Sequence, residues 1–403
     1  MKAAFFHDAR IFKSTNGEYY SLGFGYKIWN RYLKHFDNLL ICTREADKIL
    51  SKSEYTNYKI SSGKNVEFKL NKVYKNPIQL FISRNKIQEP ITAVVKEADV
   101  CIIRLPSVIG MLAAKECIKQ NKPWIAEVVA CCWDSLWNYG SIKGKAFAPY
   151  MYLMNKFYIN KASHAIYVSS EFLQKRYPCK GTAIGISDVE LEEINEDILA
   201  KRVEKIEERK TEDIVTLGII GSLNVEYKGH GTAIHAVADL KKKGYRVILK
   251  CLGSGDKNKW ITLAKKLGVE ECIEFCGILP AGKPVLQWLD NIDIFIMPSL
   301  QEGLPRSMVE AMSRGCACIG AKTGGIPELI DDKFVVDKKD YKSLSEAIMY
   351  LVDDIEKFKE QAKVNFENSK KFNNKILELK REKFFSEFKI FSNNNISSKY
   401  LDS

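Results

Sequence analysis

The stretch EGLPRSMVEAMSRG, residues 302 to 315, sets two carboxylates, Glu302 and Glu310, eight positions apart with Pro305 and Arg306 between them. The run DIFIMPS before it is apolar enough for a buried strand, and LQEGL reads as loop. Pro305 suits the first position of a helix running from Arg306 to Arg314. Glu302 would then project from the loop. Glu310 falls among Met308, Val309, Ala311 and Met312, whose side chains should pack inward, so its charge is costly unless a hydrogen-bond donor meets it. A pair of ligand hydroxyls would serve. Arg306 or Arg314, each four residues away on a helix, would serve as well, and the spacing leaves both readings open.

A second candidate lies upstream in GIIGSLNVEYKGHGTAIHAVADL. A strand ends at Gly221, Lys228 follows in the loop, and a helix opens near Gly229, so a lysine and free backbone N–H groups converge where an anion would be stabilised. The loop is neither a Walker sequence nor the dinucleotide fingerprint. Glycines recur after later strands in CLGSGD (251 to 256), FCGIL (275 to 279) and KTGGIPEL (322 to 329), where a backbone could approach a ligand closely. One such loop says little, because turns between strand and helix use glycine routinely; four in succession outline a cleft.

The elements that must carry these loops alternate between short apolar runs and longer segments of helical spacing, the pattern of α/β units around parallel sheets. KAAFFH, NLLICT, DVCIIRL, WIAEVVA and SHAIYVSS form a first series; DIVTLGII, RVILKCLG, IEFCGIL, DIFIMPS and CACIGA form a second. Between them YPCKGTAIGIS reads as a break, leading into a charged segment. The expected units are therefore 1–185, 186–368, and a terminal piece 369–403 with an amphipathic helix to about residue 391 and a disordered polar tail. In doubly wound sheets ligands bind beyond the carboxyl ends of the strands, where all four glycine loops fall.

Charge is distributed unevenly along the 403 residues, whose formal net charge is +12. Residues 1 to 190 hold 28 Lys/Arg against 16 Asp/Glu, and the remainder balances at 34 of each. The first half is thus expected to meet something anionic, unless the excess is merely a solvated lysine-rich face. Eleven scattered cysteines without a Cys-x-x-Cys pair argue against a disulfide framework or a zinc site and for a reducing, cytoplasmic setting. MKAAFFHDAR is too short in apolar residues for a secretory leader, and no uncharged run is long enough to span a bilayer, so a soluble or peripheral protein is expected.

These residues carry a resemblance. EGLPRSMVEAM is similar to the Glu-x7-Glu motif of the family 4 glycosyltransferases, and YKG, CGIL and GGIPE stand at the matching intervals over roughly residues 213 to 350. The resemblance implies the GT-B fold, two Rossmann-like doubly wound domains facing a cleft, with a C-terminal helix crossing back to the first. It implies retention of configuration and a nucleotide-diphosphate sugar held mainly by the second domain. Glu310 would then take the ribose hydroxyls, Glu302 the sugar hydroxyls, and the backbone of Gly303, Leu304 and Pro305 the sugar and diphosphate. Lys228 would neutralise the leaving diphosphate, Gly277 and Leu279 would lie beside the base, and Gly221, Ser222, Gly324 and Gly325 would complete the donor loops. Family members usually carry an Arg six residues before that lysine, where this chain has Ser222, so Arg306 or a first-domain residue is expected to replace it.

The first half is similar to a subset of these enzymes through GEYYSLGFGYKIWNRYLKHF, IIRLPS and AEVVACCWDSLWNYG. Gly23 and Gly25 would face the diphosphate, and Arg104 and Glu127 would lie at the acceptor. Asp134 would be near the reaction centre, the alternative being that it caps the next helix; His7 and His164 have no convincing counterpart. No Asp-x-Asp occurs, so neither a metal nor any other cofactor is expected, and helix amino termini with Lys228 would stabilise the leaving group. With no second carboxylate placed as a nucleophile, same-face attack through an ion pair is expected.

The expected acceptor is a glycan or lipid-linked glycan in the assembly of a cell-surface polysaccharide such as capsule or lipopolysaccharide. KAFAPYMYLMNKFYINKA, which interleaves aromatics with lysines, would either touch an anionic membrane or form an ordinary core helix. Two rivals differ in class. A nucleotide-sugar 2-epimerase shares the architecture but needs no acceptor; a nucleic-acid-binding protein would explain the charge, yet no binding motif accompanies it, and no nucleic acid is expected.

Overall fold

The computed structural model describes residues 1–71, 84–138, 142–192, 194–210 and 212–401. Its first sheet holds β1 (Lys2–Lys13), β2 (Tyr19–Ser21), β3 (Asn38–Glu45), β4 (Lys59–Ile60), β5 (Val66–Phe68), β6 (Val100–Leu105), β7 (Trp124–Val128), β8 (His164–Tyr167) and β9 (Thr182–Gly185). The parallel part runs β5-β3-β1-β6-β7-β8-β9, and β2 and β4 form a short antiparallel arm on the far end of β1. The second sheet holds β10 (Val215–Ile220), β11 (Val247–Leu252), β12 (Ile273–Gly277), β13 (Ile294–Met297), β14 (Ala317–Ala321) and β15 (Val335–Val336), ordered β12-β11-β10-β13-β14-β15. Both sheets reverse direction of winding beside their first strand, so each has a crevice at the carboxyl ends of its central strands.

The apolar runs form strands because both faces of each sheet are covered. Along β1, Ala4 and Phe6 enter one core, with Ile91 and Met151 from covering helices, while Ala3 and Phe5 enter another on the opposite face. That second core includes Trp29, Tyr32 and Phe36, and it is closed by Phe384, Phe385 and Phe388 of the terminal helix. The second sheet has a single core running from Val189 to Ala362.

The chain passes between the domains twice. Ile186 lies in the first domain's core and Val189 and Leu191 in the second's; on the return, Phe372 packs against the second and Leu377 lies in the first. The two crossings pair, with Leu191 N donating to Phe372 O at 2.9 Å and Asn374 N to Leu191 O at 3.0 Å. Two expectations need correction. The tail is not disordered up to Leu401, since one helix spans Asn374–Leu401; the last two residues of that expectation lie outside the described residues. Ser392 is buried and Phe391 meets the His164 ring at 5.1 Å, so an anchored helix simply propagates through the polar stretch at little cost. The segment read as a break contains β9, paired with β8 through Ala165↔Ala183.

Candidate active site

After β13 the chain turns at Pro298 and Ser299 into the loop that carries Glu302. This loop is fixed by the one after β14: Gly325 N donates to Gly303 O at 2.7 Å, and Gly324 adopts a left-handed φ of 57°. A Cβ at Gly324 would lie 2.1 Å from Glu302 O, so only glycine permits this approach. Leu304 packs against the cores of both domains. Pro305 is the N-cap of the helix Arg306–Ser313 rather than its first residue, because its ψ of 112° is extended, and Arg314 lies just past the helix end.

Lys228 reaches the same place from β10. It ends a single turn, Glu226–Lys228, that Gly229 closes in a left-handed conformation (φ 83°) before the helix His230–Lys242 begins. A side chain at Gly229 would meet Pro298 O at 2.2 Å, which locks the two loops together. The Lys228 ammonium lies 2.8 Å from Glu302 Oε1, with Glu302 only 9% exposed, so the expected phosphate cation and the expected sugar carboxylate hold each other. Gly221 lies just past the end of β10 beside the Lys228 stem, Ser222 Oγ donates to Ser254 O at 3.3 Å, and Gly277 O accepts from Gly253 N at 2.7 Å, with Leu279 partly buried beyond it.

Glu310 is partly buried, and among the described residues nothing donates a hydrogen bond to its carboxylate. Burial raises its pKa above the ordinary carboxylate value, with the Arg306 charge opposing the shift. Neither of the ion pairs open to it has formed. Arg314 grips Asp290 through Nε at 2.6 Å and Nη2 at 2.8 Å, and exposed Arg306 donates to Asp188 O at 3.3 Å.

Across the cleft, Gly23 lies in the loop after β2 and Gly25 is the N-cap of the helix Tyr26–Leu33. Phe24 between them stacks on Trp29 (5.4 Å), faces His7 (5.4 Å) and lies under the Arg104 guanidinium (5.7 Å). Arg104 and Glu127 are turned onto each other at 3.2 Å; Glu127 accepts from Tyr32 Oη at 2.9 Å, and Arg104 also pairs with Asp188. Burial works against the Arg104 charge, but Asp188 and Glu127 more than offset it and raise its pKa. Asp134 does not cap its helix. It lies in the first turn of Cys132–Asn138 and pairs with Arg176 at 3.2 Å. That helix nevertheless touches the Glu302 loop, through Gln301 Nε2 to Ser135 Oγ and Asn138 Nδ2 to Leu300 O, each at 3.2 Å. His7 is held neutral by burial, with Asp8 opposing, and titrates at about 4; His164 lies under the terminal helix.

Two features were not found from the sequence. Glu328 accepts from Ser170 N at 2.6 Å and Phe172 N at 2.5 Å, clasping the first domain from the second. Asp188 and Glu190 gather Arg31, Arg104 and Arg381 around the first crossing. Glu328 stands in GGIPE, so its position was visible and its partner was not. Among the described residues no three His, Cys, Asp or Glu side chains are grouped to hold a metal ion.

The model of the glycosyl transferases group 1 family matches residues 214–354, the stretch that carries Lys228, Glu302 and Glu310. Protein CapJ of Staphylococcus aureus is 35% identical over 393 residues, 96% of each chain. The amylovoran biosynthesis glycosyltransferase AmsK of Erwinia amylovora is 35% identical over 113 residues, 26% of this chain and 28% of its own. Among solved structures, HepE of Anabaena in complex with UDP superposes with a TM-score of 0.65 at 17% identity, covering 96% of this chain and all of its own, which bears on the fold. With two doubly wound domains and this full-length likeness, the chain belongs to the glycosyl transferases group 1 family and is a glycosyltransferase of GT-B fold.

Proposed function

We propose that the protein moves a hexose-type sugar, with retention of configuration and without a metal, from a nucleoside-diphosphate sugar to a glycan or lipid-linked acceptor in cell-surface polysaccharide assembly. The observation that carries this reading is Glu310: a partly buried carboxylate with a raised pKa, bare of donors among the described residues, beside the crevice where a doubly wound sheet takes its ligand. Two ribose hydroxyls donating to it would satisfy the carboxylate and lower its proton affinity again. The loop Gly303–Leu304–Pro305, with Gly324 and Gly325 behind it, would present backbone to the diphosphate and sugar. Gly23 and Gly25 would close from the other side, and Gly277 and Leu279 would border the base.

Lys228 supports the chemistry. Its pairing with Glu302 keeps the ammonium at the cleft, and an arriving diphosphate would compete for it, freeing Glu302 to accept from sugar hydroxyls. As the glycosidic bond to the diphosphate breaks, the charge on the leaving oxygens would be stabilised by Lys228 and the amino terminus of the helix His230–Lys242. Arg306, exposed and outside any ion pair among the described residues, would supply the cation missing at Ser222. The acceptor hydroxyl would attack from the face the leaving group departs, its proton passing to the departing diphosphate oxygen. Arg104, Glu127 and Asp134 stand on the acceptor side in this reading. AmsK, described for amylovoran biosynthesis, supports the polysaccharide assignment, and the basic first half suits an anionic acceptor.

Calorimetry with UDP, GDP, ADP and their sugars identifies the donor, followed by transfer assays on two variants. Glu310→Ala is expected to weaken nucleotide binding by about tenfold to a hundredfold, the loss of one or two charge-assisted hydrogen bonds. Glu302→Ala is expected to lower transfer with little change in nucleotide affinity. Wild-type turnover in both variants would sink the assignment, and an epimeric nucleotide sugar formed from donor alone would replace the transferase with an epimerase.

A further inference from the structure

The helix Ile142–Lys161 is apolar on two opposite faces. One face, with Ala148, Met151, Tyr158 and Ile159, is buried against the first domain. A helix packed against protein on one side needs one apolar stripe. The second stripe lies bare: Ile142 is 86% exposed, Leu153 62%, Phe157 52% and Tyr150 49%. With 3.6 residues per turn, these four, Ala146 and Pro149 fall within a band about 100° wide, in which Asn160 is the polar member and donates to Pro178 O at 3.3 Å.

Lysines border this band on both edges, Lys143 and Lys161 on one, Lys145 and Lys156 on the other. Between Asp134 and Glu171 the sequence holds these four lysines and no acidic residue. Among the described residues none of the four ammonium groups is in an ion pair; Lys145, Lys156 and Lys161 instead lie over the rings of Trp137, Tyr152 and Phe157 at 5.8 to 6.0 Å. Long cationic side chains flanking an apolar stripe keep their heads in a phosphate-rich layer while their stems and the stripe enter the acyl boundary. Unpaired cations without an intervening carboxylate are complementary to a surface of uniform negative charge.

We propose that this face docks on an anionic lipid bilayer. The helix Cys132–Asn138 packs beside it, stacks Trp133 on Trp137 (5.3 Å) and reaches the Glu302 loop through Ser135 and Asn138. A docked bilayer therefore lies one short helix from the cleft, within reach for an acceptor whose carrier is lipid. Only that statement about the acceptor rests on the transferase reading; the docking rests on the helix.

The test is cosedimentation of the full chain with phosphatidylcholine vesicles, with and without phosphatidylglycerol. Binding is expected only with phosphatidylglycerol and is expected to fall as salt is raised. The double variant Leu153→Glu, Phe157→Glu is expected to bind at least about tenfold more weakly, with nucleotide affinity and melting temperature unchanged. Absence of wild-type binding, equal binding by the variant, or self-association in sedimentation velocity that the variant abolishes would each overturn the proposal. A chain that binds nucleotide sugars and ignores vesicles keeps the transferase and loses the docking; the reverse result keeps the docking alone.

Discussion

Glu310 and His230 present the same problem of burial with opposite charge. For Glu310 the proposed ligand would solve it. His230 is fully buried against Trp260, and neither ring nitrogen has a hydrogen-bond partner among the described residues. Burial, with the Lys228 charge adding to it, lowers its pKa to about 4. The folded state therefore binds this proton less readily than the unfolded chain, whose histidine titrates near 6.5. Stability is full above pH 6.5, declines as pH falls through the window from 6.5 to about 4, and loses no more below it; the total is about 3 kcal/mol. His7, shifted in the same direction, adds to the same window. Melting temperature measured against pH should fall across this range, and His230→Leu should make the slope shallower; an unchanged slope would show that the ring does not set it. At this scale the sequence was legible wherever chemistry is local. The loop positions of Glu302 and Lys228 and the helical position of Glu310 could be read from proline and glycine spacing, whereas Glu328 and Asp188 act on groups up to 158 residues away, and no local spacing encodes that.

Loops hold this site, and each is held by another loop rather than by its own strand. The clearest case is the pair of backbone strands at Gly303 and Gly325. Gly324→Ala forces a side chain into a left-handed residue, a strain of about 1 to 2 kcal/mol, and drives its Cβ against Glu302 O. The expected result is a displaced Glu302 loop, read as weaker nucleotide binding and a lower melting temperature; wild-type affinity in this variant would mean that the loop positions nothing. The five strands of each quoted series were legible because buried parallel strands are continuous apolar runs. β2, β4, β5, β9 and β15 were not, being two to four residues long and mostly at edges, too short to show a period. Pro305 illustrates a smaller limit, since proline at the N-cap and at the first helical position look alike in sequence.

For the whole molecule, the two paired crossings at Leu191 and Asn373 and the Glu328 clasp bind two otherwise separate cores. The phenylalanines of the terminal helix go further, because they complete the first domain's core instead of decorating it. Phe388 is fully buried there. Phe388→Ala should cost about 3 to 5 kcal/mol in unfolding of the first domain by denaturant, leaving the second domain's nucleotide affinity unchanged if the two cores are energetically distinct. A variant as stable as wild type would show that the helix merely rests on the surface. The two doubly wound units were legible from alternating elements, and the GT-B fold from the resemblance carried by EGLPRSMVEAM. The reach of the terminal helix was not, because its last turns, SNNNISSKYL, carry the composition of a tail and are helical through attachment upstream.

That attachment imposes an order on biosynthesis. As the chain leaves the ribosome, the residues of the first domain emerge first, yet the face formed by Trp29, Tyr32 and Phe36 stays without its cover until residue 388 has been made. The second domain, whose core closes with Ala362, can finish earlier. The half translated first is thus completed last, and during that interval its open aromatic face is the surface a nascent-chain chaperone would meet.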